Sequence, residues 1–163
     1  MSIADSFAAE LQQEAVATRK TLERIPNDRL DWKPHEKSMS FIELGSHVAS
    51  LLEWGQVTLD QQEFVFSGEY KPWRGSSSEE LVERFDNNVQ DVVQRLGGYP
   101  DSEMMKTWSL KSGEDVIFSL PRLAVFRSFV LNHMVHHRAQ LSVYLRLNDI
   151  AVPAMYGPSA DES

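Results

Sequence analysis

Residues 132–148 read NHMVHHRAQLSVYLRLN, and this stretch predicts the last and most informative helix of the chain. A helix advances about 100° per residue, so His133 and His137 lie about 40° apart on one face. Four bulky apolar or aromatic residues fall within about 80° of His133 on the same wheel, namely Phe126, Val130, Leu141 and Tyr144. The two histidines are therefore expected to point into the interior of a helical protein.

Three more segments have helical periodicity, and proline- or glycine-containing connectors separate them. The four predicted helices cover residues 3–24, 40–65, 77–96 and 121–148. Ser40 with Glu43, and Ser77 with Glu80, have the spacing of capping boxes and mark the starts of the second and third helices. Pro121 suits the first turn of the fourth helix, where a missing N–H costs nothing.

This pattern predicts an all-α fold, a single four-helix-bundle domain over residues 1–163. Residues 107–118 are compatible with one short β-hairpin, because two apolar triplets flank the sequence Lys111-Ser-Gly-Glu-Asp115. No internal repeat or long linker divides the chain.

Composition excludes several classes of function. The chain has 16 basic and 24 acidic residues, a net charge of −8, and no clustered basic face, so nucleic acid is not an expected partner. It contains no cysteine, which rules out disulfides, thiolate metal sites and a cysteine nucleophile. No apolar run approaches the roughly 20 residues that span a bilayer, and no signal peptide is expected, because residues 1–5 include an acidic residue and no basic cluster before an apolar run. We expect a cytoplasmic protein with no membrane partner.

Metal binding is the chemistry that the last helix indicates. Imidazoles four residues apart on a helix can bind one cation, and buried neutral imidazoles need partners for their ring nitrogens. His47 is the third candidate ligand, because it lies on the second helix between Leu44 and Leu51, close to the apolar stripe. His136 is rotated toward the rim, and His35 lies in a connector. From the residues alone, a metal site and a polar core without metal are about equally supported.

Three segments of the sequence resemble the DinB/YfiT-like family of metal-dependent proteins, in order and in spacing. The first pairs Asp31-Trp-Lys-Pro34 with Ser40-Phe-Ile-Glu-Leu-Gly-Ser-His47. The second is His133-Met-Val-His-His-Arg-Ala-Gln140, and the third is Val152-Pro-Ala-Met-Tyr-Gly-Pro158. The resemblance covers nearly the whole chain. It implies an up-down-down-up four-helix bundle with a long crossover, and a metal triad of His47, His133 and His137.

The resemblance also indicates a reaction. Better-understood members of that family transfer low-molecular-weight thiols, so it implies a metal-dependent enzyme that transfers such a thiol to a small electrophile. Metal-assisted hydrolysis and a non-catalytic, metal-binding role in stress response are the alternatives. Imidazole ligands suit zinc, nickel, iron and copper alike, so the residues do not identify the metal; zinc or nickel is the favoured expectation, with iron next. Three protein ligands leave one position open for water or thiol, whose pKa the ion would lower.

A homodimer is expected, since the family often pairs through its helices. The sequence also puts aromatic residues, Tyr70, Trp73 and those of the 108–118 region, in connectors. Glu53 is not expected to be a fourth ligand, because it lies about 120° from His47 on the wheel. Arg138 is expected to form a structural ion pair, and Gln140 to orient a ligand imidazole.

Overall fold

The structure is a computed structural model that describes residues 2–66, 68 and 71–163. Its five longer helices are α1 (Ile3–Glu23), α2 (Phe41–Ser50), α3 (Glu53–Asp60), α4 (Ser78–Leu96) and α7 (Asn132–Leu147). Two one-turn helices, α5 (Asp101–Met104) and α6 (Arg122–Val125), lie between α4 and α7. None of the helices within the described ranges is both long and apolar enough to cross a bilayer.

Local side-chain chemistry explains where the helices begin. Ser40 accepts a hydrogen bond from the backbone N–H of Glu43, whose carboxylate accepts one from the N–H of Ser40, so the capping box predicted for α2 is confirmed. At α4, Ser77 accepts from the N–H of Glu80, but the Glu80 carboxylate contacts Ser76 instead. The second predicted capping box is therefore only half formed.

The second predicted helix is shorter than expected and is interrupted. Helix α2 ends at Ser50, α3 starts at Glu53 after a turn, and α3 ends at Asp60 rather than near Val65. Gln61 has extended backbone angles, and the buried guanidinium of Arg122 donates to the carbonyl oxygens of Thr58 and Gln61. A cation at this end of the helix satisfies carbonyls that lack an intrahelical partner.

The strand that follows α3 in the chain belongs to a three-stranded sheet. Its strands are β1 (Glu63–Phe66), β2 (Thr107–Ser112) and β3 (Asp115–Pro121), in the order β1-β2-β3. β1 is parallel to β2, with Phe64 opposite Leu110, and β2 and β3 form an antiparallel hairpin. Gly113 makes the turn of that hairpin possible because its φ of 58° lies in the left-handed region.

The predicted all-α class, an up-down-down-up four-helix bundle, is therefore wrong. The sheet makes the fold mixed, and the hairpin expected at 107–118 is present as two of its three strands. β1 escaped prediction because Phe64-Val65-Phe66 is a short apolar run that fits either a helix or a strand. In the structure these residues alternate in burial, as strand residues do.

Helix packing determines where the histidines meet. α1 packs against α4 and α7, and α2 packs against the same two helices. The four helices surround one core that contains Phe7, Leu44, Phe85 and Leu141, all almost completely buried. A second, smaller core of Trp108, Leu110 and Val125 lies between the sheet and the helices. The direct contact of α2 with α7 brings the two histidine-bearing helices together.

The last helix is continuous from Arg122 to Leu147 but not uniform. Between α6 and α7, residues Phe126–Leu131 form a π-helical segment. A π-helical segment accommodates an extra residue relative to an α-helix and changes the rotation of the residues that follow. His133 lies two residues after this segment, so the segment helps to set the direction of its side chain.

Candidate metal centre

The structure brings His47, His133 and His137 together, as the sequence predicted. His47 lies on α2, one residue from the fully buried Val48, and His133 and His137 lie one turn apart on α7. His47 and His133 are half-buried and His137 is buried. Side chains on two packed helices therefore converge at a site between the core and the surface.

The three rings present the same nitrogen to one another. Nε2 of His137 lies 2.8 Å from Nε2 of His133, and Nε2 of His47 lies 3.4 Å from the same His133 atom. One possible ligand atom from each of the three residues lies within 4.8 Å of the other two. No carboxylate joins this group among the residues that the structure describes. The three histidines can together hold a metal ion.

Two of the rings are fixed through their other nitrogen. Nδ1 of His133 is 3.3 Å from the backbone carbonyl oxygen of Phe129, and Nδ1 of His137 is 2.7 Å from Oε1 of Gln140. Both oxygens are acceptors, so these contacts favour the tautomer in which each Nδ1 carries the proton and donates it. In this tautomer the lone pair of a neutral imidazole is on Nε2, which is the arrangement found in histidine metal ligands.

Burial keeps the three imidazoles neutral. It lowers the pKa of His47 to about 4, with further lowering by the nearby His137 and His133. Burial is also the main cause that lowers the pKa of His133 and of His137, opposed by the hydrogen bonds to Phe129 and Gln140. All three shifts favour, near neutral pH, the unprotonated form that metal binding requires.

This chemistry fits a cation. If His133 and His137 both carry their proton on Nδ1, two lone pairs face each other across 2.8 Å with no hydrogen between them. A positive ion placed among the three Nε2 atoms would relieve that repulsion. Three protein ligands would leave a coordination position free, as catalytic sites require.

The neighbouring residues make contacts that agree with the expectations from the sequence. The side-chain oxygen of Gln140 accepts a hydrogen bond from His137. Arg138 forms a largely buried ion pair with Glu14, with 2.7 Å between the guanidinium nitrogen and the carboxylate oxygen. Arg138 also donates to the hydroxyl oxygen of Tyr156, which ties the C-terminal segment to α7. Glu53 pairs with Arg84 on α4, so its carboxylate is engaged away from the histidines. His35 and His136 are exposed, as predicted.

A cleft of about 600 Å³ opens beside the histidines. His47 and His133 contribute to its wall, together with four aromatic residues, which are Trp54, Phe66, Trp73 and Phe129. The volume lies within the roughly 300–1,000 Å³ typical of small-molecule sites. A small molecule in the cleft can therefore reach the imidazoles.

A connector between β1 and α4 forms part of the wall of the cleft. The N–H of Gly75 donates to the hydroxyl of Ser46, the residue before His47, at 2.9 Å. A Cβ at Gly75 would lie 2.9 Å from side-chain atoms of both Leu81 and Trp73, so any other residue there would displace these side chains. Arg74 pairs with Glu43 of α2 and with Asp31. Tyr70, expected in this connector, lies outside the described residues.

Sequence reasoning did not predict that aromatic residues line a cleft beside the histidines. Phe129 precedes His133 by one helical turn, so the periodicity of the last helix could have revealed it. Phe66 could not be assigned while residues 40–65 were taken for one helix. Trp73 was recognised only as an aromatic residue in a connector.

The fold and the site together define a helix-rich protein with a small sheet and a three-histidine candidate metal centre beside a small-molecule cleft. The chain belongs to the DinB family, whose family model matches residues 1–163. No curated protein matches the sequence.

Two solved structures share the fold. A DinB-like protein from Bacillus cereus ATCC 10987 has 18% sequence identity and a TM-score of 0.73, and the match covers 93% of this chain and 97% of that one. A DinB-like protein from Bacillus subtilis has 16% identity and a TM-score of 0.71, with 94% and 99% of the two chains covered. At these identities the likeness supports the fold and not a particular reaction.

Proposed function

We propose that this protein is a metal-dependent enzyme that transfers a low-molecular-weight thiol to a small electrophile. His47, His133 and His137 would hold a divalent transition metal through Nε2, with zinc or nickel favoured over iron. The observation that carries the proposal is the convergence of three neutral Nε2 atoms beside a small-molecule cleft.

Each histidine contributes in a different way. His47 and His133 line the cleft, whereas His137 lies behind them and is held by Gln140. A divalent ion held by the three would supply Lewis acidity that makes a thiolate available near neutral pH. The Nδ1 protons of His133 and His137 stay in their hydrogen bonds, so these rings act as ligands and not as proton carriers.

Thiol transfer suits the cleft better than hydrolysis does. Hydrolysis benefits from a carboxylate that takes a proton from the attacking water. Among the described residues lining the cleft, Glu43 is the one carboxylate, and it already accepts from the Ser40 N–H and from Arg74. The hydrogen bonds to Ser40 and, to a smaller extent, Arg74 lower the pKa of Glu43, which makes it a weaker base.

Metal analysis and a conjugation assay test the proposal in sequence. The purified protein is incubated separately with zinc, nickel and iron, dialysed, and its metal content measured per chain. The metal-loaded protein is then mixed with 1-chloro-2,4-dinitrobenzene and, in turn, with glutathione, cysteine and bacillithiol. We expect about one ion per chain and a conjugation rate above the uncatalysed rate with at least one thiol.

Chelation and the His133→Ala substitution should both abolish the catalysed rate, while the His136→Ala control retains it. Protein that binds none of the three metals would refute the metal centre. If metal-loaded protein does not raise the conjugation rate with any of the three thiols, the transfer reaction is refuted. The metal centre is then still supported by the measured metal content.

A further inference from the structure

The aromatic residues beside the histidines form one connected surface. The ring of Trp54 in α3 lies 5.7 Å from that of Phe66 in β1 and 5.3 Å from that of Phe129 in the π-helical segment. The Phe129 ring is in turn 5.8 Å from the ring of His133. We call Trp54, Phe66 and Phe129 the aromatic wall. It leads from the sheet to the candidate metal centre.

Further aromatic contacts support the rings of the aromatic wall. Trp54 also makes an edge-to-face contact with Phe64, at 5.1 Å between centroids, and Phe129 contacts Phe118 of β3 at 5.6 Å. Behind them lies the small core around the fully buried Trp108. Rings fixed in this way can pair with a further ring at little entropic cost.

Charge in the cleft is already paired. Apart from the neutral histidines, the described lining residues include one acid, Glu43, and one base, Arg74. They lie 3.3 Å apart, and Arg74 makes a second ion pair with Asp31 at 2.9 Å. Each of these charges already has a partner, so a charged ligand would compete with an existing ion pair, whereas an uncharged ligand would leave both pairs intact.

We propose that the aromatic wall binds the electrophilic substrate through a flat, uncharged aromatic group. The inference rests on the proposed function, because it assigns the substrate class of the same site. Edge-to-face and offset-stacked pairing with Trp54 and Phe129 selects a planar ring over a saturated ring of similar size. Arg74, the one arginine or lysine among the described lining residues, already has two acidic partners, so it offers little to a carboxylate on that ring. The bound group lies next to His133, where the reacting centre of the substrate would meet the candidate metal centre.

Binding of unreactive probes tests this assignment without any turnover. Nitrobenzene, nitrocyclohexane and 4-nitrobenzoate share the nitro group but differ in planarity and charge. Isothermal titration calorimetry of each probe into the purified protein, with no thiol present, gives three dissociation constants. We expect nitrobenzene to bind about three- to tenfold more tightly than nitrocyclohexane, the difference that an aromatic pair supplies. It should also bind more tightly than 4-nitrobenzoate.

A pair of matched variants locates the binding surface. Phe129→Leu removes a ring that lines the cleft, and Phe118→Leu removes a ring of the same cluster that is not among the lining residues. Phe129→Leu should weaken nitrobenzene binding about three- to tenfold, because it removes one partner ring. Phe118→Leu should leave the dissociation constant within about twofold of the wild-type value, because this ring does not line the cleft.

Equal binding of nitrobenzene and nitrocyclohexane to wild-type protein would overturn the aromatic assignment, whether or not the variants fold. Tighter binding of 4-nitrobenzoate than of nitrobenzene would overturn the inference that the bound group is uncharged. Selective binding of nitrobenzene by a protein that conjugates no thiol would support the aromatic wall and refute the transfer reaction, so the two failures are distinguishable.

Discussion

At the scale of single residues, the three histidines depend on different supports. His133 is oriented by a backbone carbonyl oxygen, that of Phe129, and so by the geometry of its own helix. His137 is oriented by a side chain, that of Gln140. His47 reaches the site from α2 and contacts the other two rings edge-on. Substitutions should therefore affect the three ligands through separate routes.

Alanine substitutions separate ligands from bystanders. His47→Ala, His133→Ala and His137→Ala should each abolish tight metal binding, because two imidazoles leave the ion under-coordinated. His136→Ala should leave the stoichiometry near one ion per chain, since His136 is exposed and rotated away from the site. Metal content per chain after dialysis, measured side by side for the four variants, gives the answer.

Loss of metal from the His136 variant together with retention in the His137 variant would mean that the wrong pair on α7 was chosen. Equal metal content in all four variants would mean that the histidines form a polar core without a metal.

Gln140 offers a test of how His137 is oriented. Gln140→Leu removes the acceptor for the His137 Nδ1 proton, and metal affinity should fall about 10- to 100-fold, as for other outer-shell partners of metal-binding histidines. Gln140→Glu keeps an acceptor at the same position and should retain the affinity. Competition with a chromophoric chelator measures the metal dissociation constant of each variant. Equal affinities of the two variants would show that the hydrogen bond does not support the site.

At the scale of helices and strands, the sequence predicted what local chemistry determines. The start of α2 at Phe41 follows from the Ser40–Glu43 capping box, and the pairing of His133 with His137 follows from helical spacing. Strand β1 could not be predicted, because its partner β2 starts 41 residues after β1 ends and no local signal joins them. The π-helical turn at Phe126–Leu131 likewise depends on packing, so the wheel drawn through it was only approximate.

The C-terminal segment should loosen from the helices in acid. Arg146 and the Val152 N–H lower the pKa of Asp161, and Arg24 and the Ala154 N–H lower that of Glu162. A lowered pKa means that the contacts are complete above the ordinary carboxyl range, and are lost as the pH falls through about 4 and below. The amide signals of Val152 and Ala154, followed by NMR, should shift over that range.

The Asp161→Asn variant provides the control for this titration. It should alter the titration of Val152 and spare that of Ala154, whose acceptor is Glu162. If the Val152 and Ala154 amide signals of the wild-type protein stay constant through the acid range, these two carboxylates do not hold the C-terminal segment.

At the scale of the whole molecule, the core does not depend on the candidate metal centre. Phe7, Phe85 and Leu141 are almost completely buried in the main core, and Trp108 anchors the second one. Burial of each such side chain contributes about 1.5–3 kcal/mol to folding. The three histidines lie at the edge of this core, so a metal ion would add to a fold that already exists.

Removal of metal should therefore lower the melting temperature without unfolding the protein at room temperature. An ion present at 100 times its dissociation constant stabilises the folded state by about 2.7 kcal/mol, which for a chain of this length is about 5–11 °C in Tm. Thermal scans by circular dichroism with and without chelator measure the difference. Loss of the helical signal at room temperature on adding chelator would show that the ion is structural.

A homodimer remains a prediction, but its basis has changed. Trp108 is fully buried within one chain, so it provides no surface for pairing. Val116, Ile117 and Leu120 of the edge strand β3 are 42–55% exposed, so this strand offers apolar side chains that a second copy could cover. Light scattering at tens of micromolar should give about twice the chain mass of 18.6 kDa. A single species at the chain mass would contradict the dimer.

The parallel pairing of β1 with β2 has a consequence for the order in which the protein folds. Parallel neighbours cannot be joined by a tight turn, and here α4 and α5 lie between them. Contacts between residues this far apart in sequence form slowly, because the intervening chain must first lose its freedom. The helices and the β2–β3 hairpin can form from local contacts, and β1 joins afterwards. We therefore expect Phe66 to reach its place beside Trp54, 5.7 Å between ring centroids, in a late step of folding that completes the cleft.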